Sequence, residues 1–423
     1  MSRMRGRGSL RLGALAKGVD GRFLRFFGPG LVVGVAYVDP GNFGTDIAAG
    51  AGHNYDLLWV VWMASLMAML LQYVSGKIGI ATGRSMPELM KERLRTRGRA
   101  IAYWLTSEVF AVATDLAEFL GVALAINLLF GVPLLWAAAI ASFDVVAIFL
   151  LAGGRFRRIE AVIGVLVSII GIGYVFEIVV TKPDLASIVY HSVTPSVSPA
   201  TSALIVSITG ATVMPHALAV HSWLTKNKLN SHDVEEKRRL LRYHLMDNVL
   251  NLSLAGLVNA AILIMAAAAF FGTGSRVLSV EDAYMTLTPL FGVAAGVVFA
   301  LTLLASGLSS STTGVLAGQA LMEGLLGTKV NPWFRRIVVR VINVVPTMAA
   351  LYVGLNPLDM LVYSQVALSL LIPVPLIPVI YLSSSRAVMG EFVNRRLTTA
   401  LAVAFACTIL GFNAYLLAGS YVR

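Results

Sequence analysis

Long apolar blocks alternate with short polar connectors along almost the whole chain, and the blocks do not show the two-residue alternation of a half-buried strand. Eleven blocks stand near residues 27–49, 56–81, 101–130, 133–153, 159–181, 200–224, 243–271, 288–313, 336–354, 358–381 and 397–418. About 20 apolar residues carry a helix across the hydrocarbon core of a bilayer, so each block predicts a spanning helix. Lipid offers no partner to a free backbone N–H or C=O, which leaves only helices or closed barrels as spanning structures. The weak ten-residue alternation of a barrel is absent, and the pattern predicts an all-α integral membrane protein.

The connectors give the direction of the spans. Those after the second, fourth, sixth, eighth and tenth blocks are basic, with Arg84, Lys91, Arg93, Arg95, Arg97 and Arg99 in the first of them. Arg155, Arg157 and Arg158 follow the fourth block, Lys226, Lys228, Lys237, Arg238 and Arg239 the sixth. Lys329, Arg335 and Arg336 follow the eighth, and Arg386, Arg395 and Arg396 the tenth. The odd connectors hold almost no base apart from Lys182 and Arg276. Basic loops stay on the cytoplasmic side, so eleven spans place the N-terminus in the cytoplasm and the C-terminus outside the cell (inner) membrane.

Composition sharpens this picture in three places. Of 423 residues 57% are hydrophobic and 13% charged, where a soluble domain carries about 25% charged residues. The net charge of +11 would suit a nucleic-acid partner, but its confinement to alternate connectors marks topology instead. The lone Cys407 sits in an apolar run, which excludes a disulfide framework and a cysteine metal site. Residues 1–26 form a basic, Gly-rich stretch with Arg3, Arg5, Arg7 and Arg11. No short apolar core with a cleavage site follows it, so it reads as a cytoplasmic tail placed to meet anionic lipids rather than a signal peptide.

Two spans are interrupted. The first carries Asp39-Pro40-Gly41-Asn42 near its middle, and the sixth carries Gly210-Ala211-Thr212-Val213-Met214-Pro215-His216. Proline removes a backbone donor and clashes with the preceding turn, so both helices are expected to unwind there. The first and sixth spans are equivalent if two five-helix halves repeat, and five crossings invert the second half relative to the first. Interrupted helices at matching places in inverted halves mark a transporter's binding site. The organisation read from this layout is a tail (1–26), a first five-helix repeat (27–181), an extracellular linker (182–199), a second repeat (200–382), and a loop with an eleventh helix (383–423).

The interrupted segments carry a coherent donor set. Asp39 is a carboxylate at mid-membrane depth, which is costly and commonly functional. Asn42 lies in the same stretch of expected unwound chain, and Met214 comes from the other break. Pro215 has no N–H, so the Ala211 carbonyl four residues earlier loses its helical partner and is freed as a donor. A methionine in an apolar helix is ordinarily packing, and a DPGN string is ordinarily a turn. Their conjunction at symmetric breaks is what points to a site. Oxygen donors alone suit Mg²⁺ or Ca²⁺, whereas a thioether shifts preference toward Mn²⁺, Fe²⁺, Co²⁺ or Cd²⁺.

Gly28-Pro29-Gly30, Asp39-Pro40-Gly41-Asn42 and Met214-Pro215-His216 with His221 resemble the signatures of the NRAMP family of proton-coupled divalent metal transporters. Ala113-Thr114-Asp115-Leu116-Ala117-Glu118-Phe119-Leu120-Gly121, Ser309-Ser310, Ala317-Gly318-Gln319 and Met389-Gly390-Glu391-Phe392 agree. The likeness runs from Gly28 to Leu417. It implies a leucine-transporter-type fold of five plus five helices with one helix added. It also implies metal ligation by Asp39, Asn42, Met214 and the Ala211 carbonyl, with Gln365 contributing in some states. The family's magnesium-carrying branch lacks the methionine, so Met214 favours the transition-metal branch.

A proton route is expected beside the metal. Asp115 and Glu118 are three apart on one face of the third span, and Arg340 sits within the apolar run of the ninth. Carboxylates and histidines in a span mark proton relays, and His216 and His221 flank the metal site. The resemblance carries proton movement onto Asp39, Glu118, Asp115 and Arg340. Read from the residues alone, Asp115–Arg340 serves equally as a structural ion pair, and His216 as acceptor, gate or hydrogen-bonding group. Asp144, Asp247 and Glu160 read as structural partners. Ala217, Leu308 and Leu371 stand where many members carry polar residues, on surfaces expected to face the permeation path.

The function expected is import of Mn²⁺ or Fe²⁺, with Cd²⁺ and Co²⁺ also accepted, by alternating access with proton symport. A metal uniporter and an organic-substrate symporter of the same fold are the alternatives. No P-loop or HExxH motif is present, which argues against an ATP-driven pump and an intramembrane zinc enzyme. No cofactor and no obligate protein partner are expected.

Overall fold

A computed structural model describes residues 28–144, 156–228, 233–272, 279–328 and 331–421. The tail 1–26, the end of the fourth expected span (145–153), Arg155, Arg276 and Lys329 lie outside the described residues. So do the side chains of Arg157, Arg158, Glu160 and Arg336.

The described residues form helices and no strand. The first expected span is two helices, α1 (Pro29–Ala36) and α2 (Pro40–His53), and α3 (Leu58–Thr82) is the second. A short α4 (Met86–Leu94) precedes α5 (Arg97–Phe130), and α6 (Leu134–Ala141) opens the fourth span. Then come α7 (Phe156–Thr181), α8 (Leu185–Val193), and the divided sixth span, α9 (Ser202–Thr212) and α10 (Pro215–Lys226). The rest are α11 (Val234–Phe270), α12 (Val280–Phe291), α13 (Val293–Leu326), α14 (Pro332–Tyr352), α15 (Pro357–Leu371), α16 (Pro373–Ser384), α17 (Arg386–Met389) and α18 (Arg396–Tyr421).

Among the described residues eight segments are long and apolar enough to cross a bilayer, counting α9–α10 and α15–α16 as one each. The remaining expected spans fall short for visible reasons. The first is divided by its break, the fourth is described only to residue 144, and the ninth contributes an apolar stretch of Ile337–Tyr352.

Several helices run beyond the apolar blocks. α11 begins at Val234 rather than near 243, because Asp233 caps it by accepting from the Glu236 amide at 3.3 Å and its first turns are good helix formers. α13 begins at Val293 and continues to Leu326, where the left-handed Gly327 caps it, and Gly324 lets Pro87 of α4 pack directly on its last turns. The expected extracellular linker contains α8, capped by Asp184 through the Ala186 amide at 3.0 Å. The tenth span, expected as one helix, divides at Ile372 because Pro373 starts a new one.

Packing separates a centre from a rim. α9–α10 is almost wholly enclosed, held between α3, α15 and α13, and α5 packs along α13. Ile172, Val175 and Val179 of α7 and Ile337, Val341 and Val345 of α14 are exposed, as are Leu397, Leu401 and Leu410 of α18. Apolar side chains on the outside of an apolar core are what a bilayer solvates.

Candidate metal site

Each break is built by a proline at the first position of a new helix, where its missing N–H costs nothing. Asp39 is the N-cap of α2: its Oδ1 accepts from the Asn42 backbone N–H and from Asn42 Nδ2, both at 2.8 Å. Asn42 is therefore in the first helical turn and not in unwound chain as the sequence suggested. Pro40 starts the helix before Asn42 is reached. In the sixth span α9 ends at Thr212, Val213 and Met214 link, and α10 restarts at Pro215.

The two breaks meet. Asn42 Nδ2 donates to the Ala211 carbonyl at 3.2 Å, and Thr212 Oγ1 donates to Asn42 Oδ1 at 3.2 Å. Asn259 of α11 donates to Asn42 Oδ1 at 3.2 Å and to the Tyr37 carbonyl at 2.8 Å, joining the end of α1 to the start of α2. A Cβ on Gly41 would collide with the Gln365 side-chain amide, and one on Gly210 with the Gln365 carbonyl. Gln365 of α15 thus closes over both breaks, and only glycine at 41 and 210 admits it. Asp39, Asn42, Ala211, Met214 and Gln365 all have 0% exposure, so the site is closed to solvent on both sides.

Two oxygens are left over. Asp39 Oδ2 and Gln365 Oε1 are buried without a hydrogen-bond partner among the described residues, an expensive condition that calls for a ligand. The Ala211 carbonyl lies at the same junction, bonded to Asn42 Nδ2, and Met214 is buried in the break of the sixth span. Asn42 has its NH₂ toward Asp39 and Ala211, so turning its oxygen to the same point requires rotation of the amide. Among the described residues no three His, Cys, Asp or Glu gather as a metal cluster, because most of these donors are amides, carbonyls or sulfur.

Among the residues expected to carry protons, one changes its partner. Arg340 Nη2 is 2.7 Å from Asp144 Oδ1 and 3.6 Å from Asp115 Oδ1. The expected Asp115–Arg340 pair is therefore the looser one. Asp115 Oδ2 instead accepts from Asn343 at 2.7 Å, one turn beyond Arg340 on α14. The guanidinium also lies 5.1 Å from the Phe119 ring centre, a cation–π contact. The Glu118 carboxylate rests on α13 over Gly314, where a Cβ would sit 3.2 Å from it. His216 faces α5 through Thr114, with its Nδ1 3.1 Å from Thr114 Oγ1. His221 points elsewhere: its Nδ1 is 2.9 Å from the Gln72 amide, which reaches Tyr37 Oη at 2.6 Å, and its ring lies 4.8 Å from His244.

Asp247 anchors α1 by accepting from the Gly30 amide at 2.7 Å, a structural partnership as expected. Two further carboxylates are buried, Asp46 on α2 and Glu177 on α7, none of whose oxygens has a hydrogen bond among the described residues. Each is an acid inside an apolar block, the signal that had singled out Asp39. Ala217 is buried in the same apolar cluster as Met214, and Leu308 packs against the cluster around Phe119. Leu371 likewise packs on the main core.

A family model described as natural resistance-associated macrophage protein-like matches residues 30–419. A divalent metal cation transporter, MntH, of Deinococcus radiodurans is 42% identical over 413 residues, covering 96% of this chain and 94% of its own. The protein of the same name from Verminephrobacter eiseniae is 44% identical over 395 residues, covering 93% and 89%. A crystal structure of the Eremococcus coleocola manganese transporter superposes with TM-score 0.85 at 29% identity, covering 98% of this chain and 89% of that one. The nucleobase-cation-symport-1 family transporter MHP1 superposes with TM-score 0.53 at 15% identity, a likeness of fold alone.

Proposed function

The chain belongs to the Nramp family, and on that premise we propose that it carries Mn²⁺ and Fe²⁺ into the cell across the cell membrane, coupled to protons. The observation that carries this reading is the meeting of the two helix breaks at Asn42 and Ala211, with Asp39 and Gln365 closing on the same buried point and Met214 buried in the second break. The names of the relatives support the cargo class, and the thioether supports a transition metal over Ca²⁺ or Mg²⁺.

In this mechanism one ion is held by the Asp39 carboxylate, the Asn42 and Gln365 amide oxygens, the Ala211 carbonyl and Met214 sulfur. Breaks in the first and sixth spans let the half-helices on either side tilt independently, opening the site to one face at a time. The eleven-span layout with inverted five-helix halves, N-terminus inside and C-terminus outside, follows from the connectors and the matched breaks. A negative interior favours entry of a doubly charged ion by about 4–5 kcal/mol per 100 mV.

The proton leaves Asp39 when the cation arrives and moves toward α5, where His216 through Thr114, then Glu118 and Asp115, offer acceptors. Arg340, shared between Asp115 and Asp144, sets the charge at the far end. Uptake of Mn²⁺ into proteoliposomes under excess Ca²⁺, with a pH dye in the lumen, tests both halves. Ca²⁺-resistant uptake with acidification is expected. Uptake without acidification would leave a uniporter, and no uptake would overturn the cargo.

A further inference from the structure

We propose that the basic end of the bundle holds the phosphodiester group of an anionic phospholipid in a cavity between α4, α5 and α16. The cavity has a volume of about 880 Å³ and is lined by Arg84, Arg93, Arg95, Arg99, Glu92 and Tyr381 among others, a size in the range of small-ligand sites. Four guanidinium groups face one carboxylate. Arg84 is committed to that carboxylate in a two-pronged pair, at 2.8 and 2.6 Å from Glu92. Arg95 and Arg99 have no acidic partner among the described residues, and Arg93 stands 5.7 Å from the centre of the Tyr381 ring.

The alternating-charge rule accounts for bases on this side of the membrane but not for their convergence. Convergence comes from the turn between α4 and α5. Arg95 takes the left-handed conformation, φ 60°, at the end of α4, which a non-glycine residue adopts at a cost of about 1 kcal/mol or more. The chain reverses there, Thr96 caps α5, and Arg99 in its first turn comes to line the same cavity as Arg93 on α4.

The surroundings fit a lipid better than a free anion. Tyr381 is half exposed, and Ile377 one turn before it on α16 is exposed as well. Ile101 and Leu105 continue the same outward apolar character on α5 just past Arg99. Tyr103 donates to the Val374 carbonyl at 2.8 Å, tying α5 to α16 one turn beyond Arg99 and two turns before Tyr381, which line the cavity. Guanidinium forks match phosphate oxygens, basic pockets between helices on this side of a membrane suit anionic headgroups, and the exposed apolar residues below suit acyl chains. A metal cation is repelled by the same four charges.

The test titrates delipidated protein in mild detergent with phosphatidylglycerol and reads the thermal midpoint. Arg93→Gln/Arg95→Gln/Arg99→Gln is compared with Arg239→Gln/Arg242→Gln/Arg396→Gln, which removes three cations that do not line the cavity. The expected result is a tenfold or greater rise in the phosphatidylglycerol needed for half-maximal protection in the first variant, and less than twofold in the second. Equal losses in the two variants would reduce the effect to general basicity and overturn the site. Equal protection of the wild type by inorganic phosphate at the same concentration would make it a free-anion site and overturn the lipid. If the cavity variant does not fold, wild-type protein in phosphatidylcholine vesicles carrying a headgroup-photoactivatable phosphatidylglycerol decides. Labelling confined to segments 84–105 and 374–388 supports the proposal, and labelling spread over the basic end overturns it.

Discussion

Asn42 and Ala211 stand 169 positions apart in sequence and 3.2 Å apart in space, the amide of one broken helix bonded to the freed carbonyl of the other. A single side chain therefore ties Asp39, Ala211 and Thr212 together at the point where both helices are interrupted. Replacing it removes a donor and the tie at once. Asn42→Ala is expected to lower Mn²⁺ uptake in proteoliposomes at least tenfold while the protein remains monodisperse. Uptake within twofold of wild type would remove Asn42 from the site.

In the proposed donor set Met214 supplies the sulfur. Met214→Ala is expected to leave Mn²⁺ transport measurable and to let Ca²⁺ or Mg²⁺ compete at concentrations about tenfold lower than in the wild type, since oxygen donors alone favour hard cations. Competition curves for the two proteins, measured side by side, check this; superimposable curves would show that the thioether does not discriminate.

Close approach at Gly41 gives a prediction about shape rather than chemistry. A methyl group there would overlap the Gln365 amide and crowd the Asp39 carboxylate. Gly41→Ala is expected to cost about 1–3 kcal/mol, as overpacking of a filled core does, and to impair transport more than Gly52→Ala, whose Cβ meets nothing within 4 Å. Thermal midpoints and uptake rates of the pair provide the measurement.

The sequence made some of this legible and hid the rest for physical reasons. Proline and a charge in an apolar block are local signals, so Asp39, Pro40 and Pro215 announce the breaks. The same signal stands at Asp46, Glu177 and Pro373. Those residues lack the paired placement in two spans that drew attention to the first and sixth. Gln365 carries no local mark at all; its place over Gly41 and Gly210 depends on how α15 packs. Partner choice is likewise tertiary. Arg340 meets Asp144, 196 positions away, because α14 and α6 both lie against α5, a relation that spacing along the chain does not contain.

At the basic end, Lys226 of α10 pairs with Glu88 of α4 at 2.6 Å, and the Ser85 amide donates to the same carboxylate at 2.7 Å. Burial pushes the Glu88 carboxyl up, but the Lys226 ammonium and the Ser85 amide outweigh it and hold it below the usual carboxylate range. A carboxyl lowered in the folded state stabilises fully above its unfolded value, and the contribution disappears as pH falls through the folded value. Glu88→Gln is thus expected to be less stable than wild type by about 0.5–1 kcal/mol at pH 7, in the range of partly exposed pairs. The two thermal midpoints should converge in acid below about pH 4. A gap that persists unchanged at pH 3.5 would assign the effect to packing instead of charge.

Arg340 separates a structural role from a part in proton movement. Removing it alone leaves the Asp144 and Asp115 carboxylates facing each other in a buried place, a change expected to cost about 3–5 kcal/mol. Loss of transport in Arg340→Gln would then say nothing about protons, since misfolding explains it equally. Asp144→Asn together with Arg340→Gln removes the pair as a unit, and neutral partners of similar shape should recover most of that stability. If the pair only holds α6 against α14, the double variant should carry Mn²⁺ and acidify the lumen as the wild type does. If Arg340 draws the proton along α5, Mn²⁺ uptake should return while acidification falls several-fold. The second outcome is expected, because Arg340 Nη2 remains within 3.6 Å of Asp115 while bound to Asp144, close enough for the charge on either carboxylate to be felt by the other.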